Sequence, residues 1–198
     1  MIIDFKALTD RSTPVSLTSH SYFNLAGHGA GSKELYEHRV ELQADHYTPV
    51  DESCLVTGEI LAVKGTAFDL SKETRLGNVI HNVPNAKGFD HNFAIRSSSN
   101  DSRAGRINGV PLVAKLWHPP SGRLLQVYSD QPGIQFYTGN NLPSDGTLVG
   151  KNKTTYSIHG GLCLETQNFP NAINQVRMSN HLIITSFLTN ILILCIHN

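Results

Sequence analysis

The densest concentration of reactive side chains in this chain is the run Thr13-Pro14-Val15-Ser16-Leu17-Thr18-Ser19-His20-Ser21-Tyr22-Phe23-Asn24-Leu25-Ala26-Gly27. An imidazole titrates near neutral pH. Hydroxyls, an amide and aromatic rings around it suit a pocket that holds a small polar ligand and moves a proton on it. Read alone, His20 is equally a hydrogen-bonded structural histidine. The second candidate is Glu165, in Gly161-Leu162-Cys163-Leu164-Glu165. Strand alternation sets Leu162 and Leu164 on one face and Cys163 and Glu165 on the other. That pattern fits a carboxylate aimed into a site and also an ordinary one on a solvent face. Asp90 reads as a hydrogen-bond acceptor or a turn residue, and Gln135 as a ligand contact or an outward strand amide. His20, Asp90, His91 and Glu165 are residue types that bind divalent ions, but no spacing such as HExxH supports a metal enzyme.

The elements that must position these groups are strands. Val40-Glu41-Leu42-Gln43-Ala44-Asp45 alternates apolar and polar residues with period two. Residues 112–117 and 123–128 flank His118-Pro119-Pro120-Ser121-Gly122, which predicts a hairpin. Residues 134–138 and 162–167 also read as strands. Residues 74–82 suggest a short helix, weakened by Gly77, and the polar stretch 97–109 suggests an exposed loop. Many strands with frequent turns and no internal repeat argue for an all-β sandwich.

Composition narrows the function. The 198 residues suffice for one domain with its own core. Lys plus Arg number 16 and Asp plus Glu number 16, so the chain carries no net charge and no bulk attraction for nucleic acid or an anionic membrane. A neutral ligand fits that balance. Cys54, Cys163 and Cys195 are odd in number and lack CxxC spacing, which favours free thiols in a reducing, cytoplasmic compartment. Met1-Ile2-Ile3-Asp4-Phe5 lacks the pattern of a signal peptide.

The histidine run resembles the active-site signature of the aldose 1-epimerase family, the galactose mutarotases. Three further blocks agree: Gly88-Phe89-Asp90-His91-Asn92-Phe93, Gln131-Pro132-Gly133-Ile134-Gln135-Phe136-Tyr137-Thr138-Gly139-Asn140, and Cys163-Leu164-Glu165-Thr166-Gln167-Asn168-Phe169-Pro170. The four occur in the family's order. The resemblance implies a large antiparallel β-sandwich and a reaction that interconverts the α and β anomers of an aldose. By the same resemblance Glu165 matches the general base, His20 the general acid, and Asp90 and Gln135 the substrate contacts. Ser21 and Tyr22 are expected to line the pocket. Trp117 and Phe169 are candidates to stack on the sugar or to fill the core. The reaction needs no metal or redox cofactor, and its partner is a small-molecule aldose. A phosphorylated-sugar relative is disfavoured, since no Arg/Lys-rich segment stands ready for a phosphate. A non-catalytic carbohydrate-binding module is the alternative.

Two departures from the family pattern set further expectations. The family places a second histidine and an arginine upstream of the Thr-Pro block, positions this sequence does not have. His28, His38 and His46 do not sit in that motif. After Arg177 the sequence departs again, into an apolar stretch from His181 to Ile196 that is shorter than the ~20 residues of a membrane span. The sequence thus reads as a partial sandwich domain over residues 1–177 followed by a divergent apolar tail over 178–198. Taken by itself the chain is expected to be poorly soluble and to have little mutarotase activity.

Overall fold

The computed structural model describes residues 1–84, 87–96, 105–175, 183–184 and 187–197. In chain order the strands are β1 (Ile2–Leu8), β2 (Thr13–Pro14), β3 (Tyr22–Phe23), β4 (Arg39–Leu42), β5 (Ala44–Thr48), β6 (Leu61–Ala62), β7 (Thr74–Arg75) and β8 (Asp90–Ile95). They continue with β9 (Arg106–Ile107), β10 (Val110–His118), β11 (Arg123–Ser129), β12 (Gly133–Tyr137), β13 (Leu162–Gln167), β14 (Ile183–Ile184) and β15 (Phe187–His197). One sheet has the order β1-β15-β11-β10-β4-β7, with β9 added to β10; a second has the order β3-β13-β12-β8-β5-β6, and β14 pairs with β2 in a separate two-stranded sheet. Every pairing among the described residues is antiparallel.

The sheets close on one apolar core. Val40, Leu42, Leu116, Leu125, Val127, Leu192 and Leu194 come from the first sheet. Phe93, Ile134, Phe136, Leu162 and Leu164 come from the second, and all are buried in one cluster. This is the β-sandwich the strand pattern implied. The hairpin β10–β11 forms as the sequence predicts, with a 3-10 turn over Pro119–Ser121 and Gly122 in the left-handed conformation at φ 72°. There the missing Cβ matters, because other residues are strained at positive φ.

Two local expectations change. Residues 40–45 are not one strand. The chain crosses from one sheet to the other at Gln43, whose N–H donates to Val113 O (2.9 Å) and whose carbonyl accepts from Arg96 N–H (2.9 Å). The helix expected over 74–82 is instead strand β7 followed by two 3-10 turns, Leu76–Asn78 and Ile80–Asn82. Its amides are claimed elsewhere: Leu76 N–H donates to His38 O (2.8 Å) and Gly77 N–H to Tyr36 O (2.9 Å). These tertiary bonds bury Leu76 and Ile80 completely and override local preference. A short helix, α1 (Gly31–Leu35), buries Leu35; no periodic signal announced it. Of the polar stretch 97–109, residues 97–104 lie outside the described residues, while β9 pairs with the start of β10.

The apolar C-terminal stretch carries β15, which pairs with β1 on one side and β11 on the other. Among the described residues, no helix is long and apolar enough to cross a membrane.

Candidate active site

The register of four strands assembles the site. In β13 every residue from Leu162 to Thr166 is buried, so both faces of the strand are covered. Side chains still alternate between faces, and residues directly opposite on paired strands share one. Cys163 lies opposite Tyr22 of β3 and Tyr137 of β12, and Tyr137 lies opposite Asp90 of β8. Tyr22, Cys163, Tyr137 and Asp90 therefore form one row across the sheet. Glu165 lies opposite Gln135, and Gln135 opposite Asn92, which makes a second row on the same face. The opposite face turns Phe93, Ile134, Phe136, Leu162 and Leu164 into the core.

Over these rows lies a polar cleft of about 420 Å³, lined by His20, Tyr22, Asp90, Gln135, Tyr137, Asn141, Glu165, Gln167 and Pro170. His20 comes from the loop just before β3 and is held by rings. It stacks on Tyr22 (5.2 Å between centroids, 16° between planes) and meets the edge of Tyr137 at 6.0 Å. Tyr137 is itself anchored, because its hydroxyl accepts from Asn141 N–H at 3.0 Å. The His20 Nδ1 lies 3.5 Å from Glu165 Oε1. Across the cleft floor Gln135 Nε2 donates to Asp90 Oδ1 at 2.8 Å. The Oε1 of Gln135 is buried and has no hydrogen-bond partner among the described residues.

Electrostatics follow from this crowding. Glu165 is only 7% exposed. Burial raises its carboxyl above the usual carboxylate range; the facing His20 opposes that shift and Asp90 adds to it. A carboxylate raised in this way is a stronger base when ionised. The Tyr22 phenol is pushed up to about 12, first by partial desolvation and then by Cys163, Tyr137 and Glu165. Burial raises the Cys163 thiol as well, with Glu165 and Asp90 adding to the effect.

Of the six residues singled out from sequence, the fold brings five to this cleft: His20, Tyr22, Asp90, Gln135 and Glu165. Ser21 is not among the lining residues, and its hydroxyl lies 3.1 Å from that of Ser19. Side chains of successive residues diverge, so Tyr22 and Ser21 cannot both face the cleft. Trp117 is on the other sheet with Arg39 over its ring at 5.4 Å, and Phe169 packs against Ala172; neither lines the cleft. The four residue types that could bind a divalent ion, His20, Asp90, His91 and Glu165, do not all gather, because His91 points to the core face, 4.6 Å from Phe68. His28 is bonded to Tyr156 (2.8 Å), His38 is buried beside His118, and His46 pairs with Asp45. Tyr137, Asn141, Gln167 and Pro170 were not singled out. Tyr137 and Gln167 carried a usable signal, since each is two residues along its strand from Gln135 or Glu165. A more apolar cavity of about 660 Å³ shares Tyr22 but contains no acid–base pair.

The family model described as aldose 1-epimerase matches residues 1–184. The chain is 49% identical over 175 residues to the galactose mutarotase of Sus scrofa, covering 88% of this chain and 47% of that protein. It is 48% identical over 177 residues to the galactose mutarotase of Homo sapiens, covering 89% of this chain and 48% of that one. The chain thus spans about half the length of the curated relatives it matches. In fold it is similar to the crystal structure of an aldose epimerase homologue from C. elegans. That likeness has a TM-score of 0.83 at 23% identity and covers 100% of this chain and 55% of that one.

Proposed function

The chain belongs to the aldose 1-epimerase family, and on that footing we propose that it interconverts the α and β anomers of aldohexoses such as galactose and glucose. The observation that carries this reading is the buried Glu165 carboxylate 3.5 Å from the His20 imidazole, beside the Gln135–Asp90 pair. In the scheme Glu165 takes the proton from the C1 hydroxyl while His20, as imidazolium, gives one to the ring oxygen. The C1–O bond breaks and leaves an open-chain aldehyde. Rotation about C1–C2 presents the other face of the carbonyl. The former ring oxygen, now a hydroxyl, attacks that face, returns its proton to His20, and Glu165 returns the other to the C1 oxygen. Asp90 and Gln135 hold sugar hydroxyls; the unpartnered Gln135 Oε1 has a lone pair ready for such a donor. The polar cleft, lined by two carboxylates and no Lys or Arg, suits an uncharged sugar better than a phosphorylated one.

Polarimetry on freshly dissolved α-galactose tests the scheme, with the chain joined to a family N-terminal segment bearing the second histidine and the arginine. Glu165→Gln and His20→Asn are each expected to slow interconversion by at least ~10²-fold. Near-normal rates in both variants would sink the assignment. Sugar binding by calorimetry without any acceleration of mutarotation would favour a carbohydrate-binding module instead.

A further inference from the structure

We propose that Cys163, Glu165 and His20 form a binding site for a soft divalent transition-metal ion, Zn²⁺ above all, and that its occupancy disables the acid–base pair. Only the inhibitory consequence rests on the anomerisation scheme; the binding rests on geometry. The His20 Nδ1, the Cys163 Sγ and a Glu165 carboxylate oxygen all lie within 4.8 Å of one another. The register explains why. Cys163 and Glu165 are two residues apart on β13 and share a face, while the loop carrying His20 leads into Tyr22, directly opposite Cys163.

Zinc takes sulfur at ~2.3 Å and nitrogen or oxygen at ~2.0–2.2 Å, so tetrahedral ligand atoms sit roughly 3.3–3.7 Å apart. The His20–Glu165 pair is already at 3.5 Å. Closing the rest needs movement of about 1 Å, and the His20 side chain, 53% exposed, is the least buried of the three ligands. One thiolate, one imidazole and one carboxylate suit Zn²⁺ or Co²⁺, whereas Mg²⁺ and Ca²⁺ demand oxygen ligands. On binding, an S–metal bond replaces the S–H bond and the thiol proton leaves to solvent; nothing is oxidised or reduced. His20 and Glu165 both line the cleft, so water or a ligand hydroxyl could supply a fourth donor. Cys163 has no disulfide partner and no role in proton transfer, so the inference gives it a function that packing alone does not.

Titrating the chain with Co²⁺ and following the thiolate-to-cobalt charge-transfer absorption tests the proposal. One ion per chain is expected, displaced by Zn²⁺ and not by excess Mg²⁺. Cys163→Ala and Cys163→Ser should both abolish the band, so a folding defect in one does not decide the matter. His20→Ala and Glu165→Gln should each weaken binding at least ~10-fold, the lower end of the effect of even outer-shell partners. Cys54→Ala should leave the band unchanged. No band, a band surviving both Cys163 variants, or a band lost with Cys54→Ala would overturn the site and leave the acid–base scheme standing. Zinc inhibition equal in wild type and Cys163→Ala would overturn the inhibitory consequence.

Discussion

The two faces of the six-stranded sheet are made by the same strands and are almost equally buried, yet they do opposite work. On β8, β12 and β13 the residues His91, Phe93, Ile134, Phe136, Leu162 and Leu164 face the core. Their neighbours Asp90, Asn92, Gln135, Tyr137, Cys163 and Glu165 share the cleft face. Phe136 is 0% exposed, but Asn92 is 1% and Glu165 7%, so burial alone does not separate structure from function. The polar groups of the cleft face are also incompletely paired. The buried Asn92 Oδ1 and Gln135 Oε1 lack hydrogen-bond partners among the described residues, a condition that costs ~1–3 kcal/mol per group. Of these, Gln135 lines the cleft, where a ligand hydroxyl could supply the missing donor. Gly133 belongs to the same design: a Cβ there would come within 2.5 Å of Asn92 Oδ1 and 2.9 Å of the Phe169 ring.

The comparison can be broken most forcefully from its apolar side. Phe136→Ala should cost ~3–5 kcal/mol of stability by leaving a cavity among Phe89, Phe93 and Ile134. Urea denaturation measures it, and a loss below ~1 kcal/mol would mean that the core face is not what holds the sheet.

Acid provides the next sharpest contrast. His38 accepts the Leu25 N–H at its Nε2 (2.8 Å) and donates from Nδ1 to Glu34 O (3.0 Å), which fixes a neutral tautomer. Burial first, and then the neighbouring His118, hold its pKa down to about 4, against 6.5 unfolded. The folded state resists a proton that the unfolded state takes up. The stability contributed by His38 is therefore complete above pH 6.5, falls between 6.5 and 4, and is gone below. The loss is on the order of 3 kcal/mol. Burial pushes His91 on the core face the same way. Thermal melts over that range should show a decline that is shallower in His38→Gln. An unchanged slope would remove His38 as its cause. On the cleft face the raised carboxyl of Glu165 predicts instead that the interconversion rate falls as acid protonates the base.

The smallest expected effects lie on the cleft face. Asp90→Ala and Gln135→Ala should weaken galactose binding by ~1–3 kcal/mol, read by calorimetric titration, while the melting temperature stays close to wild type. Unchanged affinity with a large fall in stability would assign both residues to structure.

What the sequence disclosed followed the strand period. The alternation in residues 161–165 set Cys163 and Glu165 on one face, and the Pro-Pro-Ser-Gly turn announced β10–β11. Neither signal could say that the Glu165 face was covered, because cover comes from a cleft built by segments far apart in the chain. The strand period also put Tyr137 on the face of Gln135, but not beside the groups it meets there. Its partners Asp90 and Tyr22 are remote in sequence, and only the register of β8, β12, β13 and β3 makes them neighbours. The helix misread over 74–82 failed because amides there bond to the carbonyls of Tyr36 and His38, which no local rule anticipates.

The ladder between β1 and β15 has a kinetic meaning. It pairs Ile2 with Ile193, and the amino group of Met1 donates to Leu194 O at 2.6 Å across a sequence separation of 193. Closing so long a loop spends chain entropy before any contact repays it. The cleft strands β8, β12 and β13 lie closer together in sequence, so their pairing closes shorter loops than the β1–β15 ladder does. Among the described strands β1 pairs with β15 alone, whereas β13, which carries Glu165, is paired on both sides; hydrogen exchange is expected to find the β1 amides less protected than those of β13.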